Sequence, residues 1–289
     1  KRIIPLFRFM GNAIKALKLE RPRIILAGNL DMLLISYFYK KVYDKNISIV
    51  YEVADLQKYC FGEKANSFKN LIYKMLRVLE RKLVKEISKL ILTSPYFWGE
   101  YFSKFVDKDK YLFVPNVPYK SLFAKYKKQA HEVFTVGFIG SVRYVKQLKM
   151  LIDVVEGLEK DIKILIAGSG PGYHEIVKYA EGKEFVEIYG PYNYEKEIVS
   201  LYEKIDCVYS VYDNKLDNVR VALPNRLYEA IACGLPIIVA EDTMLAKFVE
   251  ENQNGITVDP YDKEGTERKL SRFFGSKGDL KKYQDRKSV

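Results

Sequence analysis

The sequence predicts an α/β protein built of two doubly wound domains, and three observations carry that prediction. Apolar runs of four to seven residues recur along the chain, and most are followed by a segment whose apolar residues return every three or four positions. The joints between them are short and rich in Gly, Asn, Asp and Pro, as turns require. Strands that alternate with helices over short links form parallel sheets covered by helices. Residues 117–132 are polar, basic and without period, and read as a linker between a first domain at 1–116 and a second at 133–289. A chain of 289 residues has length enough for two such cores.

The elements follow in order. Residues 5–19 are expected to form a helix that stops before Pro22, whose ring cannot continue it. Residues 24–27 form a short buried strand closed by Gly28-Asn29, and 30–42 a helix. A second buried strand, 47–53, leaves Ala54-Asp55 at its carboxyl end. Ligands of open α/β sheets bind at such ends, which makes Asp55 a candidate, although Asp also caps helices. The longest helix spans 67–89. Phe68, Leu71, Met75, Leu79, Leu83 and Ile87 mark an apolar face, expected to pack on its own domain. Lys69, Arg77, Arg81, Lys85 and Lys89 crowd the rest, a composition that also suits an anionic lipid surface. A strand at 90–93, a helix at 96–105 and a strand at 111–114 close the first domain. The second runs through strand 133–139, helix 145–158, strand 162–167, a helix to 180, strand 185–188, helix 194–204 and strand 207–212. Helix 225–233, strand 236–239, helix 244–251, strand 256–258 and helix 263–274 complete it.

Charge is unevenly placed. Residues 1–128 hold 26 of the 48 Lys and Arg and 11 of the 37 Asp and Glu, a net +15 that leaves the remainder at −4. The first half therefore suits an anionic partner such as a membrane surface, or else carries solvated lysines. No nucleic-acid motif accompanies the charge, so no nucleic-acid partner is expected. Cys60, Cys207 and Cys233 are far apart and show no metal or disulfide spacing, which points to a reducing, cytoplasmic setting. No apolar run reaches membrane-spanning length.

The stretch Leu223 to Val239, LPNRLYEAIACGLPIIV, holds the strongest motif. Pro224 suits a helix start and Gly234 a helix stop. The first N–H groups, at Asn225 and Arg226, have no intrahelical partner and form an anion site with the helix dipole. Arg226 adds a planar fork suited to phosphate. Glu229, one turn on, is placed to accept hydrogen bonds from a ribose diol, and burial of this carboxylate would be unfavourable without a partner. Gly140, Arg143 and Lys146 stand at the carboxyl end of the second domain's first strand, where two cations suit a diphosphate leaving group. Gly168-Ser169-Gly170-Pro171-Gly172 has the wrong spacing for a dinucleotide fingerprint, so it reads first as a tight turn whose backbone, from Gly168, can line a pocket. His131 and His174 are expected at the surface, and Asp206 as a structural cap.

These residues resemble the retaining family-4 type glycosyltransferases of the GT-B fold, whose two Rossmann-like domains face a cleft. The resemblance runs through Arg143 and Lys146, Gly168-Ser169-Gly170, Asp206-Cys207-Val208 and, most specifically, Glu229-Ala230-Ile231-Ala232-Cys233-Gly234-Leu235-Pro236. It continues more loosely through Tyr51-Glu52-Val53-Ala54-Asp55 and Val114-Pro115-Asn116. Val221 stands where the family often has a second glutamate, and Asn29 and Ala54 where it often has a histidine. Pro224 to Glu229 fits the Pro-x-Lys/Arg-x-x-Glu form of some branches. The family's first strand and Gly-rich loop have no counterpart, so the first domain is expected to be incomplete.

The resemblance implies a donor substrate, a UDP-sugar or GDP-sugar, held mostly by the second domain. Arg143 and Lys146 would hold its diphosphate and Glu229 its ribose, while a glycan or lipid-linked acceptor binds the first domain. No cofactor and no metal are then called for. Two other roles compete: a nucleotide-sugar 2-epimerase, which needs acidic and His residues at the cleft that this chain scarcely offers, and a non-catalytic partner that binds nucleotide sugar or stabilises an assembly, which the missing histidine and front end favour.

Overall fold

The computed structural model describes residues 3–61, 67–158 and 161–275, so the last residues of the second predicted domain lie outside the described part. The chain divides into two compact units, Lys1–Pro115 and Asn116–Val289.

The first unit holds a four-stranded parallel sheet in the order β1-β2-β3-β4, with β1 Ile24–Ala27, β2 Ser48–Val53, β3 Lys89–Leu92 and β4 Tyr111–Phe113. β1 pairs β2 from Ile24 opposite Ser48 to Ala27 opposite Tyr51. The expectation that β1 is buried is corrected. It is the sheet's edge, with Ile24 and Leu26 exposed and Ala27 fully buried, because successive side chains point to opposite faces. Helices α1 Ile3–Glu20, α2 Leu30–Val42, α3 Ser67–Leu83 and α4 Tyr96–Glu100 accompany the sheet.

Helix α3 is shorter than its pattern predicts. It ends at Leu83, passes through a 3₁₀ turn at Val84–Glu86, and frees Lys89 to begin β3. Its packing also differs from expectation. Leu83 and Glu80 are buried, whereas Phe68, Leu71, Ile72, Met75 and Val78 are exposed, Phe68 by 73%. The face that packs inward carries a carboxylate, and the more apolar face is turned out. Helix 96–105 is likewise cut to α4, since Tyr101 leaves helical geometry and packs edge-on against Phe102 and Phe105.

The second unit begins with the short helix α5 Lys120–Phe123, inside the stretch that reads as a linker; Phe123 is buried edge-on against Tyr202. Its sheet has six parallel strands in the order β10-β9-β8-β5-β6-β7. These are β5 Phe134–Ile139, β6 Ile162–Ala167, β7 Val186–Gly190, β8 Cys207–Ser210, β9 Ile237–Ala240 and β10 Gly255–Val258. Helices α6 Val145–Gly157, α7 Tyr173–Ala180, α8 Tyr194–Glu203, α9 Asp217–Val221, α10 Asn225–Cys233, α11 Met244–Asn252 and α12 Lys263–Gly275 cover it. The core gathers Phe138, Leu151, Ile164, Tyr209, Ile238 and Leu270. Helix α9 has no counterpart in the sequence prediction: at five residues it is too short to show a period.

His131 is not a plain surface residue. Its ring bridges the Asp206 carboxylate at 3.1 Å and the Glu203 carbonyl at 2.9 Å, while Asp206 accepts from the Thr135 amide at 2.9 Å. The pair fastens the start of β5 to the α8–β8 joint.

Candidate functional site

Strand order places the site before any side chain does. From β5 the chain moves through β6 to β7, then returns to β8 on the other side of β5. The crevice outside the carboxyl ends of strands at such a reversal is where ligands of doubly wound sheets bind. Gly140 follows β5 directly, and Val211-Tyr212 follow β8.

Two glycine turns build the floor. Gly140 has φ 135° and Gly168 φ 136°, values that side chains rarely adopt. A Cβ on Gly168 would fall 1.9 Å from the Gly140 carbonyl oxygen, so the two backbones touch. The Gly140 amide donates to Ala167 at 2.8 Å and the Val142 amide to Ser169 at 2.9 Å, which locks the turns together. Gly168 therefore supports the Gly140 turn by close backbone contact.

Arg226 packs on that floor. A Cβ on Gly140 would meet its Nη2 at 2.5 Å, so only glycine leaves room for the guanidinium. The guanidinium carbon lies 4.0 Å from the Phe138 ring centroid and 5.5 Å from that of Tyr212, residues of β5 and of the segment after β8. The side chain is 92% buried, and its Nη1 has no hydrogen-bond partner. Buried donors are nearly always paired, so the open Nη1 makes Arg226 a candidate to meet an acceptor from outside the chain.

Helix α10 positions this group. It runs from Asn225 to Cys233, with Pro224 as an extended N-cap and Gly234 left-handed at φ 62°. Pro224 provides no side-chain cap; the Leu227 amide donates to the Pro224 carbonyl at 3.0 Å, and the amides of Asn225 and Arg226 before it are the ones placed for an outside acceptor. Asn225 is exposed at the first position. Arg143 and Lys146 are also exposed, Arg143 donating from Nε to Ser141 Oγ at 3.1 Å beside Gly140. The structure thus joins Gly140, Gly168 and Arg226 by contact, and puts Arg143 in the same turn.

Glu229 follows Arg226 by three positions, hence on the same helix face. It is 4% exposed, and the protein supplies the partners its burial demands. Tyr194 donates to Oε1 and Tyr202 to Oε2, each at 2.7 Å. Tyr202 is fully buried, and Tyr194 is 36% exposed at the start of α8. Burial, and then the Glu229 charge, push both phenols above their ordinary range, so both stay protonated as donors. Tyr192 is raised by burial and then by the Glu229 charge, against a smaller opposing effect of the Arg226 charge. These tyrosines carried no sequence signal, since they lie 27 to 37 residues away from Glu229 in the chain.

A cavity of about 450 Å³ lies within the first unit at the carboxyl ends of β1 and β2, where Asn29, Asp31 and Asp55 line it. Among the described residues no three His, Cys, Asp or Glu side chains converge as a metal site, and no helix is long and apolar enough to cross a membrane.

Known proteins share this architecture. The sucrose-phosphate synthase of Thermosynechococcus elongatus superposes with a TM-score of 0.73 at 14% identity, over 97% of this chain and 72% of that one. Alr3699/HepE of Anabaena, solved in complex with UDP, superposes with a TM-score of 0.69 at 14% identity, over 94% of this chain and 73% of that one. These likenesses show the fold: two Rossmann-like parallel-sheet units of the GT-B type. In sequence, the chain is 23% identical over 258 residues to the succinoglycan biosynthesis protein ExoL of Rhizobium meliloti, which covers 85% of this chain and 62% of that protein. The chain thus spans less than two thirds of the length of that curated relative. Residues 121–287, more than half of the chain, match the family described as Glycosyl transferases group 1, and on that extent of match the chain belongs to it.

Proposed function

We propose that this chain transfers a hexose from a UDP- or GDP-linked donor to a glycan or lipid-linked acceptor, with retention at the anomeric carbon, in the synthesis of a cell-surface polysaccharide. The observation that carries this is the buried guanidinium of Arg226, unpaired at Nη1, beside the uncapped start of α10 at the sheet's reversal. A diphosphate satisfies both the guanidinium and the amides of Asn225 and Arg226. Arg143 and Lys146 close on it from the Gly140 turn, and Glu229 accepts from the ribose hydroxyls. As the bond from the anomeric carbon to the β-phosphate oxygen breaks, negative charge grows on the diphosphate. Cations already in place then stabilise the transition state more than the ground state. The acceptor hydroxyl passes its proton to the departing phosphate oxygen as its own oxygen bonds to the anomeric carbon. The UDP complex of Alr3699/HepE and the succinoglycan pathway of ExoL support the choice of donor class and product. Incubation with a panel of UDP- and GDP-hexoses, followed by NMR of the product, is expected to show the donor's anomeric configuration preserved. An inverted product contradicts retention.

Helix α3 gives the enzyme a place. Its exposed Phe68, Leu71, Ile72, Met75 and Val78 are flanked by exposed Lys69, Lys74, Arg81 and Lys82, which suits peripheral attachment to an anionic inner membrane face. Co-sedimentation with vesicles is expected to rise with anionic lipid content and to fall for Phe68→Asp/Met75→Asp. Equal sedimentation of the variant and the wild type would remove α3 from that role.

A further inference from the structure

The two tyrosines on Glu229 hold it from different sides. Tyr202 is fully buried, so its hydroxyl ties Oε2 to the interior. Tyr194 is the first residue of α8 and is 36% exposed, which makes Oε1 the carboxylate oxygen on the open side. The same end of α8 is fastened to the floor of the site. Strand β7 ends at Gly190, whose carbonyl accepts from the Gly168 amide at 2.7 Å. Gly168 in turn touches Gly140, and Gly140 touches Arg226. Tyr194 therefore follows, by four residues, a turn that belongs to the rim around Arg226.

Hydrogen-bond accounting shows what the Tyr194 hydroxyl still has to give. Burial and the hydrogen bond to Glu229 push this phenol up, so its proton stays on the oxygen and is committed to Oε1. The phenolic oxygen keeps lone pairs that can accept. Oε1 also keeps an acceptor direction beyond the one Tyr194 fills. The two open acceptors are thus hydrogen-bonded neighbours 2.7 Å apart. A ribose presents two hydroxyl donors on adjacent carbons, one for each acceptor. The charge pattern sets the direction of the ligand: the Arg226 guanidinium draws the diphosphate, and the acceptors one turn further along α10 draw the diol.

We propose that Tyr194 is a second ribose contact, its hydroxyl accepting from one hydroxyl of the diol while Glu229 Oε1 accepts from the other, so that the site selects ribonucleotide donors over 2′-deoxyribonucleotide ones. This rests on the donor site proposed above and sharpens it. A sugar carried on a deoxynucleoside diphosphate lacks one of the two hydroxyls and leaves one acceptor of the pair unanswered.

Calorimetry of the intact chain with UDP, GDP and the 2′-deoxy and 3′-deoxy forms of each reads the two hydroxyls separately. The wild type is expected to bind the ribonucleotide about tenfold more tightly than either deoxy form, about 1.4 kcal/mol for each hydroxyl. Tyr194→Phe keeps the ring and removes the acceptor. It is expected to weaken the ribonucleotide about tenfold and to cut the preference over one deoxy form to about twofold or less, with the other preference kept. Tyr202→Phe takes the other tyrosine from the same carboxylate, and is expected to lower the melting temperature with both preferences kept. An effect that runs only through the posture of Glu229 would move the two variants alike. The proposal is overturned if the wild type does not discriminate, if Tyr194→Phe binds every nucleotide as the wild type does, or if both tyrosine variants lose the same preference. Absence of UDP and GDP binding in the wild type overturns this contact and the donor site together. Nucleotide binding that is lost in Arg226→Ala and unchanged in Tyr194→Phe overturns this contact alone.

Discussion

Arg226→Ala is expected to weaken UDP and GDP binding by about 100-fold while changing the melting temperature little. Hydrogen bonds to charged groups contribute about 1.5–3 kcal/mol each, and a guanidinium can offer two to one diphosphate. Loss of about 3 kcal/mol corresponds to about 100-fold in affinity. The small effect on folding follows from the open Nη1: a buried donor without a partner is a cost in the free protein, so its removal offsets the lost contact with Phe138 and Tyr212. Arg226→Lys keeps the charge but not the fork, and is expected to recover only part of the affinity. Calorimetry beside thermal unfolding checks both halves. A variant that melts far below wild type and still binds UDP normally would make Arg226 a structural residue.

Glu229→Ala is expected to do the opposite in proportion: a clear loss of stability with a smaller loss of binding. The substitution leaves the Tyr202 hydroxyl, fully buried, without an acceptor, while Tyr194 can turn to solvent. An unsatisfied buried hydroxyl costs about 1–3 kcal/mol, or a fall in melting temperature of about 3–10 °C for a unit of this size. Each ionised carboxylate oxygen has two lone pairs, so the single tyrosine on Oε1 leaves an acceptor direction for a ribose hydroxyl. Removal of that acceptor is expected to weaken UDP about tenfold, roughly one charge-assisted hydrogen bond. Glu229→Gln retains an acceptor for Tyr202 and is expected to restore more stability than affinity. If UDP binds to Glu229→Ala undiminished, the carboxylate serves only to hold α8 on α10.

The second unit was legible because its local signals agreed with its packing. Helix α10 has the predicted bounds, since a proline before it and a left-handed glycine after it are properties of the chain itself. Strand β9, buried at every position, reads as an unbroken apolar run, and β5 and β6 are buried through their last four residues. What sequence could not supply was tertiary. Tyr194 and Tyr202 reach Glu229 only once α8 lies beside α10, and Arg226 meets Gly140 only once the fold brings the end of β5 to α10.

Helix α3 misled for a related reason. Its moment was clear, but a moment does not say which face the fold chooses. A faint clue was present: Glu80 stands among Leu76, Leu79 and Leu83, at helical spacing, where a carboxylate needs partners. Those partners, Tyr51 and Tyr59, come from β2 and the 3₁₀ turn after it.

The central claim is that Arg226 and the start of α10 hold a nucleoside diphosphate at the reversal of the second sheet. A crystal structure of the chain with UDP tests it most directly. The account predicts diphosphate oxygens within hydrogen-bond distance, about 2.7–3.2 Å, of Arg226 Nη1 and the first amides of α10, with the ribose turned toward Glu229. A nucleotide bound with Arg226 Nη1 still unpaired, or seated in the first unit's cavity, would contradict it.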